Sequence, residues 1–177
     1  MAGDTQSFSC LVAKYEKMAY TIALRILENR EEAEEAVQDA FVKMYRALSD
    51  FHFDSKFSTW FYRIVYRTAL TALRQQRMFV SYEEAGPVDL SNGEVESATA
   101  LLEREDRKEM IARTLKKLPA DEALLLTLYY LEECSVEEIC QITELSASNV
   151  KVKLFRGRKR FYEVLQDKMK LETADLL

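Results

Sequence analysis

Apolar residues recur at helical spacing along most of this chain. Leu11, Tyr15, Met18, Ile22 and Ile26 line one face of a helix expected over residues 8–27. Asn29-Arg30-Glu31-Glu32 then has the form of a capping box opening a second helix. In that helix Ala33, Ala36, Val37, Ala40, Phe41, Met44, Tyr45 and Leu48 follow the i, i+3, i+4, i+7 pattern. Glu31, Glu32, Glu34, Glu35 and Asp39 fall on its early outer face, where acids also suit the positive end of the helix dipole.

The stretch SDFHFDSKF (49–57) interrupts this pattern with a short aromatic loop. Ser58 or Thr59 is expected to cap a third long helix, with Trp60, Ile64, Ala69, Leu70 and Leu73 on its packed side. Arg63, Arg67, Arg74 and Arg77 fall within about 80° of one another at 100° per residue. No acid occurs between Trp60 and Arg77. Residues 78–100 (MFVSYEEAGPVDLSNGEVESATA) then carry five acids, no base, two glycines and a proline, the composition of a linker.

Helical pattern resumes at Leu101 and runs to 117, where Leu118-Pro119 stops it. An apolar helix is expected over about 120–132, with Pro119 near its first turn, where a missing N–H costs nothing. Ser135 with Glu138 reads as a second capping box. Ser146 is placed to cap a last helix whose Val150, Leu154, Gly157 and Phe161 face the core. Residues 166–177 are expected to form a fraying tail.

Composition supports this picture. With 4 glycines and 2 prolines in 177 residues, the chain favours helices over a turn-rich β fold. The expectation is an all-α protein of two small helical domains joined by a flexible acidic linker, with boundaries at 1–77, 78–100 and 101–177. No apolar run approaches the roughly 18 residues of a membrane span, and no secretory signal is expected. Cys10, Cys134 and Cys140 lack close spacing and fit small buried hydrophobes in a reducing cytoplasm. No phosphate loop, nucleophile elbow or metal-ligand cluster stands out, and His52 is alone. The expectation is therefore a non-enzyme with no cofactor, no metal and no small-molecule substrate.

The formal charge is −5, yet Lys151, Lys153, Arg156, Arg158, Lys159 and Arg160 form a cationic run without an acid. That run lies in SVEEICQITELSASNVKVKLFRGRKR (135–160), two short amphipathic helices joined by a tight turn. This is the pattern of a helix-turn-helix, whose second helix enters the major groove. Subtracting the core stripe leaves Ser148, Asn149, Lys151, Val152, Lys153, Phe155, Arg156, Lys159 and Arg160 outward or flanking, with Arg158 beside them. Lys and Arg neutralise phosphates or donate to guanine, Asn pairs with adenine, and Val or Phe touches a thymine methyl. The arginine helix with its aromatic neighbours suits a phosphate backbone and unstacked bases.

Taken together and in this order, the segments resemble a bacterial RNA polymerase sigma factor of the extracytoplasmic-function (ECF) group, over about residues 10–165. AEEAVQDAFVKMYRAL (33–48) resembles the region 2 helix that docks on the polymerase β′ clamp helices. The resemblance implies polymerase contact by Glu34, Glu35, Gln38, Asp39, Val42 and Lys43. FSTWFYRIVYRTALTALRQQR (57–77) resembles the segment that melts and reads the −10 element. This implies −10 contacts by Lys56, Phe57, Thr59, Trp60, Arg63, Tyr66, Arg67 and Arg74. Residues 118–161 resemble region 4, which reads the −35 element and touches the β flap. This implies −35 contacts by Ser148, Asn149, Lys151, Val152, Lys153, Phe155, Arg156, Arg158 and Lys159.

The family also implies cytoplasmic action with core RNA polymerase on promoter DNA, and restraint by a membrane-bound anti-sigma factor. Three positions depart from it. Arg67 stands where the family often has Asn, Thr71 where many members have Asp, and Glu144 in the turn where Gly is common. A stand-alone helix-turn-helix regulator would account for 135–160, but not for an acid-faced helix followed by an arginine-aromatic one. A protein adaptor with incidental cations would show no salt-dependent DNA binding.

Overall fold

A computed structural model gives the protein's structure. It describes residues 5–80 and 99–174, and side chains within 6–76 and 108–167. Seven α-helices occur among the described residues: α1 (Thr5–Leu27), α2 (Arg30–Ala47), α3 (Phe57–Val80), α4 (Thr99–Lys116), α5 (Ala120–Tyr130), α6 (Val136–Thr143) and α7 (Ala147–Ala174). A 3-10 turn at Leu48–Asp50 ends α2. These elements fall into two compact units, α1–α3 with α6, and α4, α5 and α7. The expected linker at 78–100 lies for the most part outside the described residues.

In the first unit α1, α2 and α3 each pack on the other two, and α6 packs on α3. Met18, Ala19, Ile22, Ala23 and Leu27 are buried from α1, and Ala33, Ala36, Val37, Ala40, Phe41 and Met44 from α2. Small alanines let these helices approach, and fully buried Ile22, Met44 and Phe61 each contribute about 1.5–3 kcal/mol of apolar burial. Helix α3 turns a different stripe to the core than its spacing suggested. Thr59, Phe61, Tyr62, Val65, Thr68 and Ala69 are buried, while Trp60, Ile64, Leu70 and Leu73 are only half-buried. The helix is apolar on more than half its circumference, so its pattern alone left the inward direction open.

The helix starts follow local chemistry, with two corrections. Asn29 Oδ1 accepts from the backbone N–H of Glu31 (3.0 Å) and Glu32 (3.3 Å), so it caps α2. The capping box is not completed there, because Glu32 Oε1 instead accepts from Gln76 Nε2 of α3 at 3.0 Å. Helix α3 begins at Phe57, ahead of both expected caps, and its first turn closes from Trp60 N–H to the Lys56 carbonyl at 3.1 Å. Ser58 and Thr59 therefore lie inside the first turn.

In the second unit, α5 carries Glu122 through Leu128 as a continuous buried run. Val150, Leu154 and Gly157 of α7 are buried and Phe161 is half-buried. A Cβ at Gly157 would lie 3.2 Å from Leu126 Cδ1 and 3.3 Å from Glu122 Cβ, so glycine sets how closely α7 lies on α5. The expected tail at 166–177 is instead helical through Ala174. Residues 165–174 (LQDKMKLETA) contain no Gly or Pro and are mostly good helix formers, which lets α7 continue. Cys134 is buried and Cys140 half-buried, but Cys10 is exposed, against the expectation of three buried thiols.

Candidate nucleic-acid and polymerase interfaces

The acidic face of α2 is exposed at Glu31, Glu34, Glu35, Gln38 and Asp39, whereas Glu32 is drawn toward α3 by Gln76. Val42 (47% exposed) continues that face as an apolar position. Lys43 is exposed, but its Nζ donates to Thr68 Oγ1 at 3.2 Å, so its charge is held against α3. A groove beside this face is lined by Ala13, Glu16, Lys17, Tyr20, Glu34 and Gln38.

On α3, Arg63, Arg67 and Arg74 are exposed as one row; the side chain of Arg77 lies outside the described residues. Tyr66, Phe57 and Trp60 are half-buried and Lys56 is exposed. Thr71 Oγ1 donates to the Arg67 carbonyl at 2.9 Å, so this departure from the family pattern is absorbed as a back-bonded hydroxyl. Phe51 packs against Phe53, Phe57 and Trp60, with ring centroids 4.6, 5.6 and 5.1 Å away. Phe53 is 84% exposed and sits in left-handed backbone (φ 62°), which is costly for a non-glycine residue. Sequence gave no signal for that conformation.

Thr59 behaves differently from its neighbours. It is buried, and its hydroxyl donates to Glu138 Oε1 of α6 at 3.3 Å. Lys56 Nζ lies 3.0 Å from the same oxygen. Glu138 Oε2 accepts from the Ser135 N–H at 2.8 Å, while Ser135 Oγ accepts from the Glu138 N–H, so the expected capping box of α6 is complete. Burial pushes the Glu138 carboxyl up. The Ser135 N–H, Lys56 and the Ser135 hydroxyl outweigh it and hold the group below the usual carboxylate range.

Helix α6 ends at Glu144, which is left-handed (φ 61°, ψ 16°) and donates its N–H to the Cys140 carbonyl. This is the position where glycine would be unstrained. Helix α7 starts directly after Ser146. Ser148, Asn149, Lys151, Val152, Phe155, Arg156, Arg158 and Lys159 are all exposed, and Phe155 shows 65% of its surface.

Four cations of the basic run are engaged within the second unit. Lys153 is half-buried and ion-paired with Asp121 of α5. Arg160 Nη1 lies 3.0 Å from Glu122 Oε1. Arg158 Nε donates to the Leu154 carbonyl at 3.2 Å, and Lys159 lies 3.9 Å from Glu163. The exposed surface of α7 outside these contacts thus includes Lys151, Val152, Phe155 and Arg156.

The Sigma-70 region 2 family matches residues 11–78, and the family described as Sigma-70, region 4 matches 108–161. The chain is 32% identical over 171 residues to the RNA polymerase sigma-H factor of Pseudomonas aeruginosa, covering 93% of this chain and 89% of that protein. It is 30% identical over 164 residues to the ECF RNA polymerase sigma-E factor of Escherichia coli K12, covering 89% and 85%. The fold is similar to that of the sigma factor RpoE in complex with the anti-sigma factor NepR from Bartonella quintana, with a TM-score of 0.70 at 18% identity over 91% of this chain and 98% of that one. CnrH in complex with the cytosolic domain of CnrY is similar at a TM-score of 0.57 and 24% identity, covering 94% and 92%. An exposed acidic helix, an arginine row and a capped helix-turn-helix thus occur in the order of regions 2 and 4, and the chain belongs to the ECF group of RNA polymerase sigma factors, which confer promoter-specific initiation on core polymerase.

Proposed function

We propose that initiation rests on three surfaces of this chain. Glu34, Glu35, Gln38, Asp39, Val42 and Lys43 meet the β′ clamp helices. Lys56, Phe57, Thr59, Trp60, Arg63, Tyr66, Arg67 and Arg74 hold the opened −10 strand. Ser148, Asn149, Lys151, Val152, Lys153, Phe155, Arg156, Arg158 and Lys159 read the −35 duplex, with the same region touching the β flap. The functional division is 1–77, an acidic linker at 78–100, and 101–177. The observation that carries this reading is the separation of sign: an exposed acidic face on α2, and exposed cationic rows on α3 and α7.

The chemistry is binding without covalent steps. Unstacking a base costs a few kcal/mol. Aromatic stacking contributes about 1–3 kcal/mol per base, so the cluster at Phe51, Phe57 and Trp60 is matched in scale to that cost. No helix among the described residues is long and apolar enough to cross a membrane, which fits action in the cytoplasm. Two structures with similar folds hold anti-sigma factors or a cytosolic partner domain, which supports an anti-sigma partner here as well.

Run-off transcription with core polymerase on a promoter library tests this assignment. Core polymerase should gain promoter-specific initiation from this chain, and the chain alone should bind promoter duplex weakly. A tight, specific operator complex formed without polymerase would identify a stand-alone regulator instead.

A further inference from the structure

Within the unit formed by α1–α3 and α6, three of the proposed −10 residues engage acids of the helix-turn-helix. Lys56 and Thr59 share Glu138 Oε1 at 3.0 and 3.3 Å. Arg67 Nη1 lies 3.7 Å from Glu144 Oε1 in the turn. Thr59 is left with 2% of its surface exposed, and the Glu138 side chain with 16%. The pairs follow α3 from its first turn to its middle, so one face of the helix meets one edge of α6. Glu138 is fixed by its own capping box, so its carboxylate arrives oriented rather than as a loose surface acid.

These carboxylates occupy the place that strand phosphates would take on the same cations. An anion that accepts from Lys56 and Thr59 satisfies donors that a backbone phosphate would otherwise satisfy. Both sets of acceptors cannot use those donors at once. The ion pairs involve exposed cations, so each adds only modestly to the α3–α6 contact.

We propose that the free protein is self-inhibited by α6, which competes with the opened −10 strand for Lys56, Thr59 and Arg67. The proposal rests on the assignment of those three residues to the −10 strand. By linkage, whatever displaces α6 raises strand affinity, and the strand in turn displaces α6 by the same factor. Apparent strand affinity is lowered by the fraction of molecules held closed.

Glu138→Gln with Glu144→Gln opens the contact, and glutamine at position 138 still serves the capping box. The distance from α6 to the −10 loop is read by electron–electron resonance between spin labels on His52→Cys and Gln141→Cys, in the full chain with Cys10, Cys134 and Cys140 changed to Ala. Strand affinity is read with a fluorescent single-stranded non-template −10 oligonucleotide. The parent should give one short, narrow distance that lengthens and broadens with saturating oligonucleotide. The double variant should be broad without it and bind the oligonucleotide about three- to tenfold tighter. Glu137→Gln, which removes a charge from an exposed α6 position, should change neither. A parent already broad, a distance unmoved by oligonucleotide, or equal tightening by Glu137→Gln would each overturn the proposal. Failure of the −10 assignment itself would be seen separately, as unchanged promoter use by the Lys56→Ala and Arg67→Ala holoenzymes.

Discussion

Arg160 of α7 reaches back to α5 and sets its Nη1 3.0 Å from Oε1 of Glu122, a carboxylate with 7% of its side chain exposed. The last cation of the basic run therefore answers a buried acid. A buried carboxylate without a partner is costly, which makes the pair obligatory even where its net worth is modest. Arg160→Ala should lower unfolding stability by about 1–2 kcal/mol, discounted because the arginine is half exposed. Urea denaturation measures this, and −35 preference should not change at the transcription level.

Gly157 lets α7 lie against Leu126 and the Glu122 stem. Gly157→Val should cost about 1–3 kcal/mol through overpacking. Thermal unfolding should show a lower midpoint, and transcription from −35-dependent promoters should fall with it. An unchanged midpoint would mean that α5 and α7 can move apart freely.

Arg156 and Lys151 are both exposed on α7, but their expected signatures differ. If Arg156 reads a base, Arg156→Ala should relax discrimination at one −35 position by about 1–3 kcal/mol. If Lys151 neutralises a phosphate, Lys151→Ala should weaken all sequences alike and reduce the salt slope by about 1. For about four phosphates in all, holoenzyme affinity for −35 duplex should drop roughly a hundredfold between 50 and 200 mM salt. Titrations on a −35 duplex library at several salt concentrations separate the two.

Asp121 gives a pH signature. Burial pushes its carboxyl up. The hydrogen bond and charge of Lys153, with the Glu122 N–H, outweigh that and hold it below its ordinary 3.8. A carboxylate depressed in the folded state contributes stability that is present above about 3.8 and lost as pH falls through the folded value. Stability should therefore be insensitive to this group near neutral pH and decline on the acid side. Asp121→Asn should flatten that decline in pH-dependent denaturation, and should free Lys153 for DNA.

Glu144 holds a left-handed turn at φ 61°. A non-glycine residue there costs about 1–2 kcal/mol in strain, partly offset because glycine is more flexible when unfolded. Glu144→Gly should raise stability by about 0.5 kcal/mol, measured by thermal unfolding. A loss of stability would show that the Arg67 contact outweighs the strain.

Much of this protein was legible along the chain. The seven helices among the described residues, the Ser135–Glu138 capping box and the inward row of Val150, Leu154 and Gly157 follow from periodicity and cap chemistry, which act over three or four residues. So does the surface of α7, since an apolar stripe at fixed spacing leaves the rest outside. The tertiary structure alone decided where ambiguous faces turn and which charges find partners. Helix α3 is apolar around most of its girth, so only packing against α1 and α2 selected Phe61, Tyr62 and Val65 over Trp60 and Ile64. Lys153, Arg160 and Lys56 read alike as free cations. Their partners Asp121, Glu122 and Glu138 lie 32, 38 and 82 residues away, beyond any local pattern. Charge is visible in a sequence, but whether it faces solvent, DNA or a carboxylate is settled by contacts that only the folded chain brings together.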